Sequence, residues 1–317
     1  GFIAAAAGAV LYIEHNGHIV TGMNNQIVWG LPHVFAIFLI VAASGALNVA
    51  SIASVFGKTP YKPMARLSAL LALSLLAGGL AVLVLDLGRP DRLIVAMTEY
   101  NFSSIFAWNI YLYTGFFAVV GVYLFLQMGR NTPYSIVRTA GTVAFLWRLA
   151  LTTGTGSIFG WLVARSAYDA AIMAPLFIVM SFAFGLAVFI LVVTGMCRLT
   201  GRPFGKSLLN RLGRLLGIFV ALVLYFTGVQ HLTNLYAAEH GGIEWFILRD
   251  GGIYTQLFWF GQVLIGGIIP LVLVFHPTGG VKPVSTILAS VLVILGGLAQ
   301  LYVIVIGGQA FPLDIFP

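Results

Sequence analysis

The apolar positions fall into eight long runs nearly free of charge, at 29–57, 67–87, 104–127, 139–163, 172–197, 215–236, 254–275 and 284–306. Each is ~20 residues or more, the length a helix rising about 1.5 Å per residue needs to cross a hydrocarbon core of about 30 Å. The runs are continuous rather than alternating, so they predict helices and not the strands of a membrane barrel. A ninth run, 1–22, starts apolar and ends in Glu14, His15 and His18. It predicts an opening helix that tilts or leaves the bilayer at its polar end. The pattern as a whole predicts an all-α integral membrane protein with about nine spans and its termini on opposite sides. No secretory n-region and cleavage pattern is present, so the first run does not read as a signal peptide. Gly1 in place of Met reads as a processed or trimmed start.

Composition agrees with the pattern. The chain is 60% apolar and 8% charged, with a mean hydropathy of +1.02, whereas a soluble domain carries roughly 25% charge. A water-soluble fold and a disordered chain are both excluded. The single cysteine, Cys197, excludes a disulfide framework, a Cys-ligated iron–sulfur cluster and a CxxCH haem attachment. A metal redox centre would have to come from histidines or from another subunit.

The net charge of +7 is sorted by membrane side. Alternate loops carry Lys58, Lys62, Arg66, Arg130, Arg138, Arg198, Arg202, Lys206, Arg211, Arg214 and Lys282 with no acidic residue. The opposite loops carry Arg89, Arg92, Arg165 and Arg249 against Asp91, Glu99, Asp169, Glu239, Glu244, Asp250 and Asp314. Eleven basic residues against four predict that the basic face is cytoplasmic. The basic charge then serves topology and lipid contact, not nucleic acid. The acidic face is expected on the periplasmic or extracellular side, and polar chemistry gathers there.

Four polar stations stand out. The stretch 15–33 holds His15, Asn16, His18, Thr21, Asn24, Asn25, Gln26, Trp29 and His33. Such groups beside lipid must be tucked against protein, since each unsatisfied one costs several kcal/mol. The third run ends in Leu85-Asp86-Leu87-Gly88-Arg89-Pro90-Asp91-Arg92, where Pro90 stops the helix and Asp86 is expected to pair with Arg89. Arg148 lies inside the fifth run, followed by Thr152, Thr153, Thr155 and Ser157. An intramembrane arginine is a functional candidate, and it is also long enough to snorkel to the basic surface. The seventh run ends in Gln230-His231-Leu232-Thr233-Asn234, with Glu239 and His240 beyond; His231, Asn234 and Glu239 are expected to share a helix face.

These groups suit a quinone better than a haem. A b-type haem between helices needs two facing histidines, and His33 with His231 is the sole pair deep enough to consider. A quinone needs one or two hydrogen-bond donors and protons delivered near neutral pH, which His, Asp and Glu at the mouth of a bundle supply. The candidate proton-handling residues are His33, Asp86, Asp169, His231 and Glu239, and their protons are expected to exchange with the outer side. An inward route would run along hydroxyls and water past Arg148. A haem b-containing quinol oxidoreductase anchor and a secondary transporter remain the alternatives. A transporter should place its polar site at the midplane on broken helices.

Leu85-Asp86-Leu87-Gly88-Arg89-Pro90, followed by Asn101-Phe102-Ser103-Ser104 and Trp108, resembles the NrfD/PsrC family of membrane subunits. The likeness runs from Trp29 to about Gly308. The opening helix with Thr21-Gly22-Met23 is similar to the family's long branch, which includes the HmcC, QrcD and DsrP types. Trp29-Gly30-Leu31-Pro32-His33 and Gln309-Ala310-Phe311-Pro312-Leu313 look most like the DsrP type. That branch usually has ten helices, so the chain as given is expected to lack the last or to be cut before it.

The resemblance implies tandem four-helix bundles, 29–163 and 172–306, preceded by an opening helix and connection over 1–28 and followed by a periplasmic tail, 307–317. It implies a quinone, menaquinone or ubiquinone, held near the periplasmic face of the first bundle, with His33 as the pocket histidine. Trp29, Arg89, Ser104, Trp108, Arg148 and Asn234 are the other expected contacts. No haem, iron–sulfur cluster or metal site is expected in the chain itself. A periplasmic ferredoxin-like iron–sulfur subunit would dock on the outer face, within a larger respiratory or sulfur-metabolism complex of the inner membrane. The tyrosine that some members carry on the fourth bundle helix is not evident in 139–163.

Overall fold

The computed structural model describes residues 2–87, 89–129, 131–202, 204–276 and 283–312. Gly88, Arg130, Lys282, Leu313 and Asp314, all named above, lie outside the described residues. Among those described, the protein is all-helical. The short α1 (Phe2–Asn16) is followed by eight long helices: α2 (Leu31–Ser54), α3 (Thr59–Leu85), α4 (Ile105–Met128), α5 (Tyr134–Gly160), α6 (Met173–Leu199), α7 (Lys206–Tyr236), α8 (Ile253–Phe275) and α9 (Pro283–Ala310).

Seven of the eight, all but α5, are long and apolar enough to cross a membrane. Helix α5 matches them in length but carries Arg138, Arg148 and a string of threonines. With 15 residues, α1 reaches about 22 Å, short of a hydrocarbon core of about 30 Å. Its side chains are largely exposed, Leu11 and Tyr12 among them.

Local sequence sets the helix limits. Prolines stand in the first turns of α2 and α3, where a missing N–H costs nothing. Beyond the end of α6, Gly201 takes a left-handed φ of 66° that a side chain would resist. Helix α7 begins well before the apolar run at 215. Its opening turns are amphipathic, with Leu209 and Leu212 buried and Arg211 and Arg214 exposed, a pattern that a search for continuous apolar runs passes over. Two segments, Leu257–Ile268 in α8 and Val303–Gly307 in α9, are wound as π-helix.

Helices α2 to α5 pack on one another, as do α6 to α9. The two sets meet chiefly along α2 and α6, with α5 also packed on α6 and α9 on α2; α2 and α6 are 83% and 72% buried over their apolar windows, against 28% and 22% for α3 and α4. Helix α2 serves both cores. Ile40, Leu47 and Ala50 pack with Leu76, Phe116, Val120 and Leu151. Phe38 and Val41 join Phe177, Phe184, Leu216, Phe258 and Leu301. The crossing is made by glycines: a Cβ on Gly45 would run into the carbonyl of Ser181, and one on Gly185 into the backbone of Gly45. Lipid is as apolar as a leucine side chain, so such close backbone approach, rather than hydrophobic burial, holds membrane helices together.

Candidate functional site

The start of α2 and the ends of α3, α5, α7 and α9 converge at one end of the bundle, together with the connection over 17–30. Two carboxylate–histidine clusters lie there, one in each set of helices.

In the first, Asp86 follows the last residue of α3 and its side chain is fully buried. His33, in the first turn of α2, reaches it through Nδ1, in direct contact with Oδ2. The other carboxylate oxygen, Oδ1, lies 3.8 Å from Nδ1 of His18. That spacing is too long for a hydrogen bond, and Oδ1 has no other partner in the structure. The expected pairing of Asp86 with Arg89 does not form. Arg89 is exposed beyond the helix end and binds Asp91 at 3.0–3.1 Å. Through that hydrogen bond Arg89 holds the Asp91 carboxyl below its ordinary range. Asp86 turns inward because α2 and the connection before it offer two imidazoles.

Trp29 closes the cluster. Its ring stacks on His33 at 6.0 Å and packs edge-on against Phe159 and tilted against Phe106 and Tyr168. Tyr168 lies in the loop after α5 and is fully buried. Burial pushes its phenol up, and it donates to the carbonyl of Val305 at 2.9 Å. The connection is strapped to α9. Gln309 Oε1 accepts from the backbone N–H groups of Val28 and Trp29 at 2.8 and 3.1 Å, and its Nε2 donates to the carbonyl oxygens of Trp29 and Val305. Arg165 donates to the carbonyl oxygens of Gln26 and Gln309 at 2.6 and 3.0 Å. At about 1 kcal/mol net per hydrogen bond, the loss of four in Gln309→Ala is expected to cost about 4 kcal/mol. The checks are a lower unfolding midpoint in detergent and faster proteolysis within 22–30.

The second cluster rests on a residue that sequence reasoning assigned to a surface loop. Glu244 is 1% exposed; its Oε2 lies 2.6 Å from His231 Nδ1 and its Oε1 accepts from Asn234 Nδ2 at 2.8 Å. His231 and Asn234 do share a face of α7, as their spacing predicts. Glu239 does not join them: its carboxylate is 82% exposed beside His240. The signal for Glu244 was present, since it is a lone acid in the apolar stretch Ile243-Glu244-Trp245-Phe246-Ile247. A small cavity of about 20 Å³ adjoins His231, lined among others by Met173, Gln230, Thr227, Gln262 and Gln300. Deeper in, Gln262 and Gln300 both donate to Thr227 Oγ1, at 3.3 and 3.2 Å.

Arg148 is 2% exposed and does not snorkel. Its guanidinium donates to the Ser44 carbonyl and to Asn48 Oδ1, and lies over the rings of Phe145 and Phe182. Neither Asp86 nor Asp169 reaches it. Asp169 is exposed, on a left-handed backbone with φ 48°. Ser104 starts α4 without a capping hydrogen bond from its side chain. Trp108 is half-exposed and packs with Phe102 and Tyr111, away from Trp29. The expected contacts Arg89, Ser104 and Trp108 thus stand outside the His33 cluster, and Asp169 and Glu239 stand outside both clusters.

Fold and site together define a polytopic helical membrane protein that buries a carboxylate–histidine pair at one end of each half. The family profile described as "Polysulphide reductase, NrfD" matches residues 19–313, and the chain belongs to that family. It is 26% identical over 314 residues to the Hdr-like menaquinol oxidoreductase integral membrane subunit of Archaeoglobus fulgidus, covering 98% of this chain and 78% of the relative. It is 28% identical to a putative dimethyl sulfoxide reductase membrane subunit of Halobacterium salinarum, covering 92% of this chain and 72% of that one. It is 25% identical to one chain of the polysulfide reductase of Wolinella succinogenes, over 90% of this protein and 96% of the relative.

Proposed function

We propose that this chain is the quinone-interacting membrane subunit of a multi-subunit oxidoreductase complex, and that the quinone head group is handled at the His33–Asp86 cluster. One observation carries the assignment of the site: the fully buried Asp86 carboxylate makes no well-formed hydrogen bond, its Oδ2 in contact with His33 Nδ1 and its Oδ1 left 3.8 Å from a second imidazole. Such a group is costly unless something donates to it. A hydroxyl of a reduced quinone fits that chemistry, as Trp29 beside it fits a flat ring. When bound, a quinone supplies the exchange of two electrons and two protons. The chain's own residues hold and move the protons: Asp86 accepts, His33 orients it through Nδ1, and half-exposed His18 relays outward. Menaquinone is the favoured type, because the relative from Archaeoglobus fulgidus is named for menaquinol.

The charge sorting supports a basic cytoplasmic face and a site near the periplasmic face of the inner membrane. Exposed Asp91, Glu99, Glu239 and Asp250 then form the docking surface for a periplasmic iron–sulfur subunit. The relatives' names as parts of reductases support a partner of that kind. Buried Glu244 takes no part in that surface.

A water-soluble quinone analogue titrated into the purified complex tests the site. Saturable quenching of tryptophan fluorescence is expected, reduced in Trp29→Phe, unchanged in the control Trp259→Phe, and weakened in affinity in Asp86→Asn. Full-amplitude quenching in Trp29→Phe, with unchanged affinity in Asp86→Asn, would place the head group elsewhere.

A further inference from the structure

At the opposite, basic end of the bundle a second feature stands apart from both clusters. The last turn of α2, the first turns of α3, the end of α4 and the start of α5 border an open cleft of about 250 Å³. We propose that this cleft binds the phosphate head group of an anionic membrane phospholipid.

Charge is the first reason. Lys62 and Arg66, one helical turn apart, both line the cleft. Among the described residues neither is paired with a carboxylate. All the described acidic residues lie on α1 or in the loops at the other end. Two uncompensated cations on neighbouring turns are a phosphate-binding arrangement, with the arginine able to bind two oxygens at once.

Hydrogen bonding is the second. Gln127 lines the same cleft, and both polar atoms of its amide are shielded from solvent without a well-formed hydrogen bond; the amide lies beside the Tyr123 hydroxyl, which is already bonded to Ser54 and to the Ala50 carbonyl. An amide left so is expensive, and a phosphate oxygen would accept from its Nε2. The rim is already held in place. Tyr134 donates its hydroxyl to the Ser54 carbonyl at 3.1 Å, and Lys62 Nζ lies 4.9 Å over the Tyr134 ring. The lysine is thereby kept at the mouth instead of ranging through solvent.

The walls decide between a lipid and a free phosphate. Ala53, Ala65, Leu126 and Val137 line the apolar side of the cleft, and Phe125 and Met128, flanking it on α4, are 76% and 63% exposed. A free anion has no use for such a wall, whereas acyl chains leaving the head group would lie along it. The helix ends also put the cations where head groups sit, the level at which basic pockets between membrane helices take anionic lipid.

The test is native mass spectrometry of the complex purified in detergent, with added short-chain phosphatidylglycerol, phosphatidylcholine or inorganic phosphate as probes. One retained phosphatidylglycerol per chain is expected, with at least a tenfold loss in Lys62→Gln/Arg66→Gln. The control Arg198→Gln/Arg202→Gln, which removes two cations of the same end but outside the cleft, is expected to retain it. Gln127→Leu, which leaves every charge in place, is expected to weaken retention several-fold and covers the case in which the double variant fails to fold. Equal retention of phosphatidylcholine, or retention unchanged in both cleft variants, would overturn the proposal. So would equal loss in the control, which would mean general basic attraction. Displacement of the lipid by inorganic phosphate at equal concentration would overturn the choice of a lipid.

Discussion

Asp86→Asn is expected to lower quinol-linked turnover of the assembled complex by about 10²–10⁴-fold, the range for losing a positioned proton-transfer group. Asparagine keeps the size and one carbonyl oxygen of the carboxylate but can no longer take a proton. The helices should therefore assemble while the chemistry stops. His33→Ala is expected to fall by a similar factor, because the imidazole touches the carboxylate and both act as one unit. The double variant should be little worse than either single one. His18→Ala should cost less, since His18 stands 3.8 Å from Asp86 and is partly open to solvent. The measurement is steady-state electron transfer from a quinol analogue, with the stoichiometry of the assembled subunits checked on the same preparation. Wild-type turnover in a fully assembled Asp86→Asn complex would remove the cluster from the mechanism. Arg89→Gln serves as a control from the same segment: it breaks an exposed pair with Asp91 and is expected to leave turnover unchanged if the partner subunit still docks.

The largest structural effect is expected from Gly185→Val. Overpacking a core costs about 1–3 kcal/mol when side chains can shift. At this crossing the obstacle is the backbone of α2 at Gly45 and Ala46, which cannot rotate away. The two most buried helices would have to separate along their length, and the core that α2 shares with both halves would open. A loss of about 3 kcal/mol or more is expected, seen as a collapse in the monodisperse fraction on gel filtration in detergent. Gly195→Ala, in the same helix but with open space around the added carbon, should behave as wild type. Normal recovery of Gly185→Val would show that the α2–α6 contact is not what joins the two halves.

Most of the helical architecture was legible in one dimension, because a hydrocarbon core of roughly fixed thickness dictates the length of every apolar run. The runs at 104–127, 172–197 and 254–275 meet their helices within two residues at either end. Where a helix starts with an amphipathic turn, as α7 does at Lys206, the same rule is blind, because half of that turn faces water. Charge sorting, too, was legible from loop order alone. His33, Trp29 and Asp86 could be singled out because polar groups at the edge of a bilayer are costly and therefore few.

Which of them meet was decided by the fold. Asp86 and Arg89 are neighbours in the chain, yet the carboxylate turns to a histidine on another helix. Helix packing, and not sequence distance, sets which donor is within reach once a side chain is buried. Glu244 looked like a loop charge until the segment after α7 folded back and buried it against His231 and Asn234. Arg148 could have extended to the surface, but its place between α2 and α6 holds it on Ser44, Asn48 and two aromatic rings. The period of an apolar run says which residues avoid water. It carries no record of which helix stands beside which, and the buried polar pairs of this protein depend on that alone.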